Sequence, residues 1–209
     1  MPAALGALRE AQAAGERIGD FVSHTFARSH LLLVLSGSPN EAEREEARAL
    51  AREWVEGQQP LGAPFMSMAR LALARVALTC GELEEAEAHA RQACVPRSPY
   101  HVLPARTLLS AALLAQGRAA EARREATLGV EELEAMGDAG ATSVGLALAE
   151  ACFADGDPEA GEAALREAVR HVHARAADIP EAPQRERFPH QVPENARALS
   201  MARERGLLP

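Results

Sequence analysis

A glycine recurs in this sequence at residues 37, 81, 117 and 156, within text that otherwise favours helices. The fifth and twelfth residues after each glycine are small: Ala42, Ala86, Ala122 and Gly161, then Ala49, Ala93, Gly129 and Ala168. Residues seven apart share one face of a helix, and small side chains there let two helices approach closely. The pattern predicts a repeated unit of helix, glycine turn and helix, which must stack on its neighbours to bury an apolar face.

The composition points to the same class of fold. Alanine accounts for 46 of the 209 residues, whereas aromatic residues make up 3%. Alanine favours helices, and the aromatic residues that strands prefer are scarce. All 22 cationic residues are arginines, and a chain without lysine cannot hold a P-loop, a Schiff-base lysine or the ATP-pairing lysine of a kinase. We expect an all-α protein that is not an enzyme.

Charge and hydropathy exclude two kinds of partner. The net charge of −8 argues against a nucleic-acid groove, because phosphate contacts need a basic face. The longest apolar run, residues 31–35, is far shorter than the roughly 20 residues that span a bilayer. The first residues lack the basic segment of a signal peptide, and the three cysteines have no metal-type spacing. We expect a cytoplasmic protein that binds neither nucleic acid nor membrane.

Few side chains in the sequence are candidates for chemistry. His171 and His173 are two apart, so on a helix they point in nearly opposite directions and cannot bind one metal ion. Ser143 lies in helical text, whereas a nucleophile elbow needs a turn from strand to helix. The run 41–48 has acidic residues first and arginines after them, as in a solvated helix. We expect no catalytic residue, no metal site and no cofactor.

Two segments resemble a known family. Residues 77–88 read Ala-Leu-Thr-Cys-Gly-Glu-Leu-Glu-Glu-Ala-Glu-Ala, which looks like the turn of a tetratricopeptide (TPR) repeat; the glycine, the apolar residue two later and the alanine five later match. The resemblance covers about residues 17–176. Residues 185–203 are similar to the closing segment of C-terminal TPR arrays in large bacterial signalling proteins, of the Ser/Thr kinase or STAND ATPase type. The resemblance implies an all-α, TPR-like solenoid of about four helical hairpins with a C-terminal cap helix.

The expected organisation is one TPR-like domain over residues 1–209. Residues 1–18 form an N-terminal helix without a partner helix, and 19–177 form the four hairpins. A proline-rich loop over 178–193 leads to a cap helix over 194–209. An unpaired first helix has an exposed apolar face, which favours a homodimer through that helix.

The resemblance also implies where a partner would bind. In such arrays the first helix of each hairpin lines the concave face, which here corresponds to His24, Arg28, Met68, Leu71, Arg75, Thr107, Leu146, Glu150 and Phe153. The expected function is a non-catalytic scaffold in bacterial signalling or regulation, binding a partner peptide or helix on that face. The alternative is a regulatory module of a signalling ATPase, kinase or transcription regulator that senses a peptide or a small metabolite. An enclosed apolar cavity favours the sensor, and an open groove favours the scaffold.

Overall fold

The computed structural model describes residues 2–57, 62–94, 99–136 and 140–208. These ranges contain eleven α-helices and no β-strand, so the all-α prediction is confirmed for them. The helices are α1 Pro2–Ile18, α2 Phe21–Ser36, α3 Glu41–Glu56, α4 Ala63–Cys80, α5 Leu83–Ala93, α6 Pro99–Ala115, α7 Ala119–Met136, α8 Ala141–Ala154, α9 Pro158–Ala177, α10 Ala182–Gln191 and α11 Pro193–Glu204.

The chain forms two compact units, Met1–Leu108 and Leu109–Pro209, and the boundary falls inside α6. In the first unit α1 packs on α2, α2 on α3, α3 on α4, and α4 on α5. In the second unit α7 packs on α8, α8 on α9, α9 on α10, and α10 on α11. Packing of helices on their neighbours along the chain is the arrangement found in helical solenoids. A single TPR-like domain over 1–209 stays a prediction.

Three of the four recurring glycines end a helix in the same way. Gly81, Gly117 and Gly156 have φ values of 80°, 76° and 82°, in the left-handed region that residues with a Cβ avoid. After each glycine the next backbone N–H donates to the carbonyl five residues earlier, at 2.9 Å in all three turns. This is the Schellman termination of a helix. The small residues that follow these three glycines at the fifth and twelfth positions are all buried: Ala86, Ala93, Ala122, Gly129, Gly161 and Ala168.

The first of the four turns is built differently, and here the predicted register is wrong. Gly37 has an ordinary φ of −93°, and α3 begins four residues after it, whereas α5, α7 and α9 begin two residues after their glycines. Asn40 caps α3 by accepting a hydrogen bond from the Ala42 N–H at 3.0 Å. The longer turn rotates the helix, so Ala42 and Ala49 are exposed. The buried alanines of α3 are Ala47 and Ala51 instead.

The expectation that the first helix lacks a partner is also wrong. Gly19, with a φ of 69°, ends α1 and allows the chain to reverse. Asp20 then caps α2 by accepting from the backbone N–H of Val22 at 3.1 Å and of Ser23 at 3.2 Å. With this turn α1 folds back on α2, and Leu5 joins the apolar cluster that contains Leu31, Leu32 and Leu35 of α2.

The C-terminal region departs from its prediction in one respect. The expected proline-rich loop over 178–193 contains α10, which has Pro183 in its first turn, where the missing N–H would be unpaired in any case. The chain then enters α11 at Pro193, and α11 packs on α8 and α9. Leu199, Met201 and Ala202 of α11 are buried there with Leu165 of α9. The predicted cap helix over 194–209 therefore corresponds to Pro193–Glu204.

Candidate interaction surface

The nine side chains expected on a concave face do not form one open surface. Three of them belong to the apolar cores of the two units: Met68, Leu71 and Leu146 are between 3% and 8% exposed. Leu71 packs with Ala93 and Ala105, and Leu146 belongs to the cluster that α11 completes. These three cannot contact a partner in the folded state, which corrects that part of the prediction.

Two more of the nine are held by neighbouring helices of the first unit. His24 lies under α1, where its Nδ1 is 3.2 Å from the Gln12 carbonyl oxygen. Arg28 forms an ion pair with Glu53 of α3, and its guanidinium lies over the Trp54 ring, 5.4 Å from the centroid. Cation–π contact and ion pairing together fix the Arg28 side chain against α3.

In the second unit the two remaining α8 residues of the set contact an arginine of α11 and the arginine that follows this helix. Arg197 donates through Nε to Glu150 Oε1 at 3.2 Å, and the Arg205 guanidinium lies 3.3 Å from the centroid of the Phe153 ring. Arg75 and Thr107 are half-buried, and the Thr107 hydroxyl donates to the Leu103 carbonyl of its own helix. Most of the nine residues are thus buried in a core or held in contact with a neighbouring helix.

A different group of side chains is exposed and apolar. Ile18, Phe21, Val22 and Phe26 are 77%, 56%, 61% and 53% exposed, and they lie within nine residues of one another at the turn between α1 and α2. We call these four residues the hairpin face. Contiguous exposed patches of large apolar side chains with a polar rim are typical of binding surfaces. The rim here includes Arg17 and Asp20, and hydrogen bonds from Ser23 lower the pKa of the Asp20 carboxyl.

An aromatic cluster supports the hairpin face from behind. The rings of Phe26 and Phe65 meet edge to face with centroids 5.5 Å apart, and Phe65 meets Trp54 in the same manner at 6.2 Å. The His30 ring stacks on the Phe26 ring with centroids 6.3 Å apart. Edge-to-face pairs restrain the rings, so the exposed edge of Phe26 is presented in a fixed orientation.

The repeat pattern does not predict the hairpin face, although the sequence contains a signal for it. The chain has seven aromatic residues, and two of them lie at positions 21 and 26, next to Ile18 and Val22. The cluster can be recognised in the sequence, but whether it is buried depends on which side of α2 packs against α1. That depends on the Gly19–Asp20 turn, which folds α1 onto the side of α2 that contains His24.

Two partly open clefts occur in the second unit. One, of about 260 Å³, lies between the start of α8 and the α10–α11 segment, with Thr142, Ser143, His171, Arg175 and Asn195 in its wall. The other, of about 230 Å³, is lined by Val169, Ala202, Leu207 and Leu208 with Arg166 and Arg170 beside them. His171, whose side chain is largely buried, lies 3.3 Å from the exposed Glu167 one helical turn before it.

Within the described ranges no group of three or more His, Cys, Asp or Glu side chains is arranged to hold a metal ion. None of the described helices is long and apolar enough to cross a bilayer. No protein-family model, curated protein or solved structure matches this chain.

Proposed function

We propose that this chain is a non-catalytic interaction scaffold of the TPR type, which binds a protein partner through its hairpin face. The observation that carries the proposal is the concentration of exposed large apolar side chains at residues 18–26, on a chain whose other described large apolar side chains are buried or half-buried. Burying them in a complex would gain free energy in proportion to the apolar area removed from water.

The arrangement behind the face supports a protein partner. Contact residues that dominate binding are commonly aromatic side chains in a fixed orientation, surrounded by polar groups that exclude water. Phe26 is held by Phe65 and His30, so little side-chain entropy is lost when it is covered. This contact surface replaces the concave-face residues, of which Met68, Leu71 and Leu146 are core residues.

The TPR assignment and the bacterial signalling context belong to the same proposal. The shared helix ends at Gly81, Gly117 and Gly156, with buried small residues at fixed distances after them, support three of the four expected hairpins. The resemblance of residues 185–203 to the closing segment of signalling arrays supports a cytoplasmic role in regulation.

A photo-crosslinking amino acid at position 26 tests the proposal. In cells, we expect a crosslinked protein adduct from position 26 and none from the matched position 187, an exposed residue of α10. The substitution Val22→Ser in the same chain is expected to weaken the adduct, because it removes apolar contact area beside position 26. Equal adducts from both positions, or no adduct from position 26, would contradict the proposal.

The cleft at the start of α8 supports a second candidate, a ligand-sensing regulatory module. Its wall combines the Thr142 and Ser143 hydroxyls with the exposed Arg175 guanidinium, a set that suits a small polar ligand. Thermal denaturation with a panel of peptides and metabolites tests this candidate. A stabilising ligand whose effect is lost in Arg175→Ala and kept in Arg187→Ala would support a sensor; a panel without any shift would speak against it.

A further inference from the structure

We propose that the cleft between the start of α8 and the α10–α11 segment binds a free α-amino acid with an apolar side chain. This inference rests on the second candidate function, whose class of ligand it names, and not on the hairpin face. The polar groups in the described wall of the cleft form two sets. One set suits a carboxylate, and the other suits an ammonium group.

The carboxylate set lies where α8 begins. Thr142 and Ser143 are in the first turn of that helix, which has no side-chain cap at Gly140. The N-terminus of a helix carries a partial positive charge and unpaired N–H groups, and both favour an anion. Arg175 of α9 lines the same cleft, and it forms no hydrogen bond or ion pair with the described part of the chain. An arginine without such a partner can bind the carboxylate of a ligand through two N–H groups.

A buried polar side chain lines the cleft from α11. Asn195 is 3% exposed, and its amide nitrogen donates to the Phe188 carbonyl at 3.2 Å. Its Oδ1 accepts no hydrogen bond from any residue of the described ranges. An amide oxygen that lacks a donor in an almost fully buried side chain costs free energy. A donor on a ligand in the cleft would satisfy it.

Glu194 determines that this donor is charged. Its exposed carboxylate also lines the cleft and forms no ion pair with a described residue. This full negative charge outweighs the partial positive charge at the start of α11. An ammonium group has three N–H donors, enough for the Glu194 carboxylate and for Asn195 Oδ1. His171 lines the cleft as well, but it contacts Glu167 of its own helix.

The size of the cleft limits the ligand to a small molecule. Pockets for drug-sized ligands enclose about 300–1,000 Å³, whereas this cleft encloses about 260 Å³. A carboxylate at α8 and an ammonium group at α11 therefore belong to one small molecule, and an α-amino acid carries both on a single carbon. Ala141, Phe188 and Val192 complete the wall, and they favour an apolar side chain over a charged one.

Binding of free amino acids and of their blocked derivatives tests the inference. In isothermal titration calorimetry on the full chain, we expect L-leucine or L-valine to bind more tightly than L-glutamate. Leucinamide lacks the carboxylate and N-acetyl-leucine lacks the ammonium group. Each derivative should therefore bind about tenfold more weakly than leucine, or worse, because it loses charge-assisted hydrogen bonds.

Two substitutions in the cleft wall distinguish the two ends of the ligand. Arg175→Gln should raise the dissociation constant of leucine by about tenfold or more and leave that of leucinamide unchanged, since leucinamide has no carboxylate. Glu194→Gln should weaken leucine in the same way and leave N-acetyl-leucine unchanged. The matched variants Arg187→Gln and Glu186→Gln remove exposed charges of α10 outside the cleft, and they should bind leucine as the parent chain does. Circular dichroism should show the same helix content in all four.

The possible failures are distinguishable. A chain that binds no amino acid, or binds either blocked derivative as tightly as leucine, overturns the inference. Unchanged leucine binding in Arg175→Gln and Glu194→Gln overturns it too. If a different metabolite stabilises the chain through Arg175, the sensor stands and this inference fails. If leucine binds as expected and position 26 yields no adduct, this inference stands and the scaffold fails.

Discussion

Gly15 of α1 lies so close to His24 of α2 that a Cβ on Gly15 would stand 2.7 Å from the His24 backbone nitrogen. Such a distance is well inside van der Waals contact, and the atom that it meets is backbone, which cannot rotate away. The glycine therefore sets how closely α1 packs on α2. That contact in turn decides which sides of the two helices remain exposed.

Replacing Gly15 by alanine is expected to destabilise the first unit. The added methyl group must push α1 away from α2, as in an overpacked core, at a cost of about 1–3 kcal/mol. Gly6→Ala on the same helix is the matched control, because no atom lies within 4 Å of the position of its Cβ. This control is expected to stabilise by about 0.5–1 kcal/mol, since alanine favours helices. Urea denaturation of both variants checks the pair, and equal effects would contradict the packing described.

Two turn glycines of the first unit should respond differently to alanine. Gly81 has a φ of 80°, so Gly81→Ala is expected to cost about 1 kcal/mol or more of unfolding free energy. Gly37 has a φ of −93°, and the nearest atom to an added Cβ is the flexible end of Arg75 at 3.2 Å. Gly37→Ala should therefore be close to neutral. A larger loss for Gly37→Ala than for Gly81→Ala in thermal denaturation would mean that the two turns are not built as described.

Asp157 should make stability depend on pH at the start of α9. Its carboxylate accepts from the Ala160 N–H at 3.0 Å and pairs with Arg123 at 2.8 Å, and these contacts lower the pKa of Asp157. A lowered folded-state pKa stabilises the fold above the ordinary aspartate pKa, and this stabilisation is lost as the pH falls through the lowered value.

The substitution Asp157→Asn tests whether this stabilisation is lost, rather than gained, as the pH falls. The variant should be less stable than the parent chain at neutral pH, and the difference should shrink towards zero in acid. Asp178→Asn, at the other end of α9, is the control that lacks this capping role. A stability difference for Asp157→Asn that grows on acidification would contradict the assignment.

The packing of α11 on α8 and α9 should depend more on apolar burial than on the Arg197–Glu150 ion pair. Leu199 is 2% exposed, so Leu199→Ala is expected to cost about 2–5 kcal/mol. The Arg197–Glu150 pair is largely exposed, and Arg197→Ala should cost less than about 1 kcal/mol. Chemical denaturation of the two variants checks this order, and the reverse order would show that the ion pair dominates.

How much of the fold could be predicted is clearest at the glycine turns. Around Gly81, Gly117 and Gly156 one local signal, a glycine followed by small residues at the fifth and twelfth positions, determines both the turn and the packing register. At Gly37 the following Ser-Pro-Asn offers a later cap, Asn40, and the capping hydrogen bond moves the start of α3. Whether α3 begins directly after Gly37 or after Asn40 depends on packing further along the helix. The spacing of small residues does not encode that packing.

The site could not be predicted from the repeat pattern alone. His24 and Arg28 lie on α2 and Phe153 lies on α8, but whether such a side chain is open depends on elements that the repeat pattern does not describe. α1 covers His24, and Arg197 and Arg205 of the C-terminal segment cover Glu150 and Phe153. Prolines favour a loop over 178–193, but Pro183 and Pro193 occupy the first turns of α10 and α11 and Pro189 lies within α10, so the sequence does not predict α10.

The yield of the crosslinked protein adduct from position 26, compared between the parent chain and Val22→Ser, tests the central claim most directly. Val22 is 61% exposed, so the substitution removes apolar area from the hairpin face without opening a core. We predict a protein adduct from the parent chain and a weaker one from the variant, with unchanged helix content. No adduct from the parent chain, or an equally strong adduct from the variant, would contradict the account.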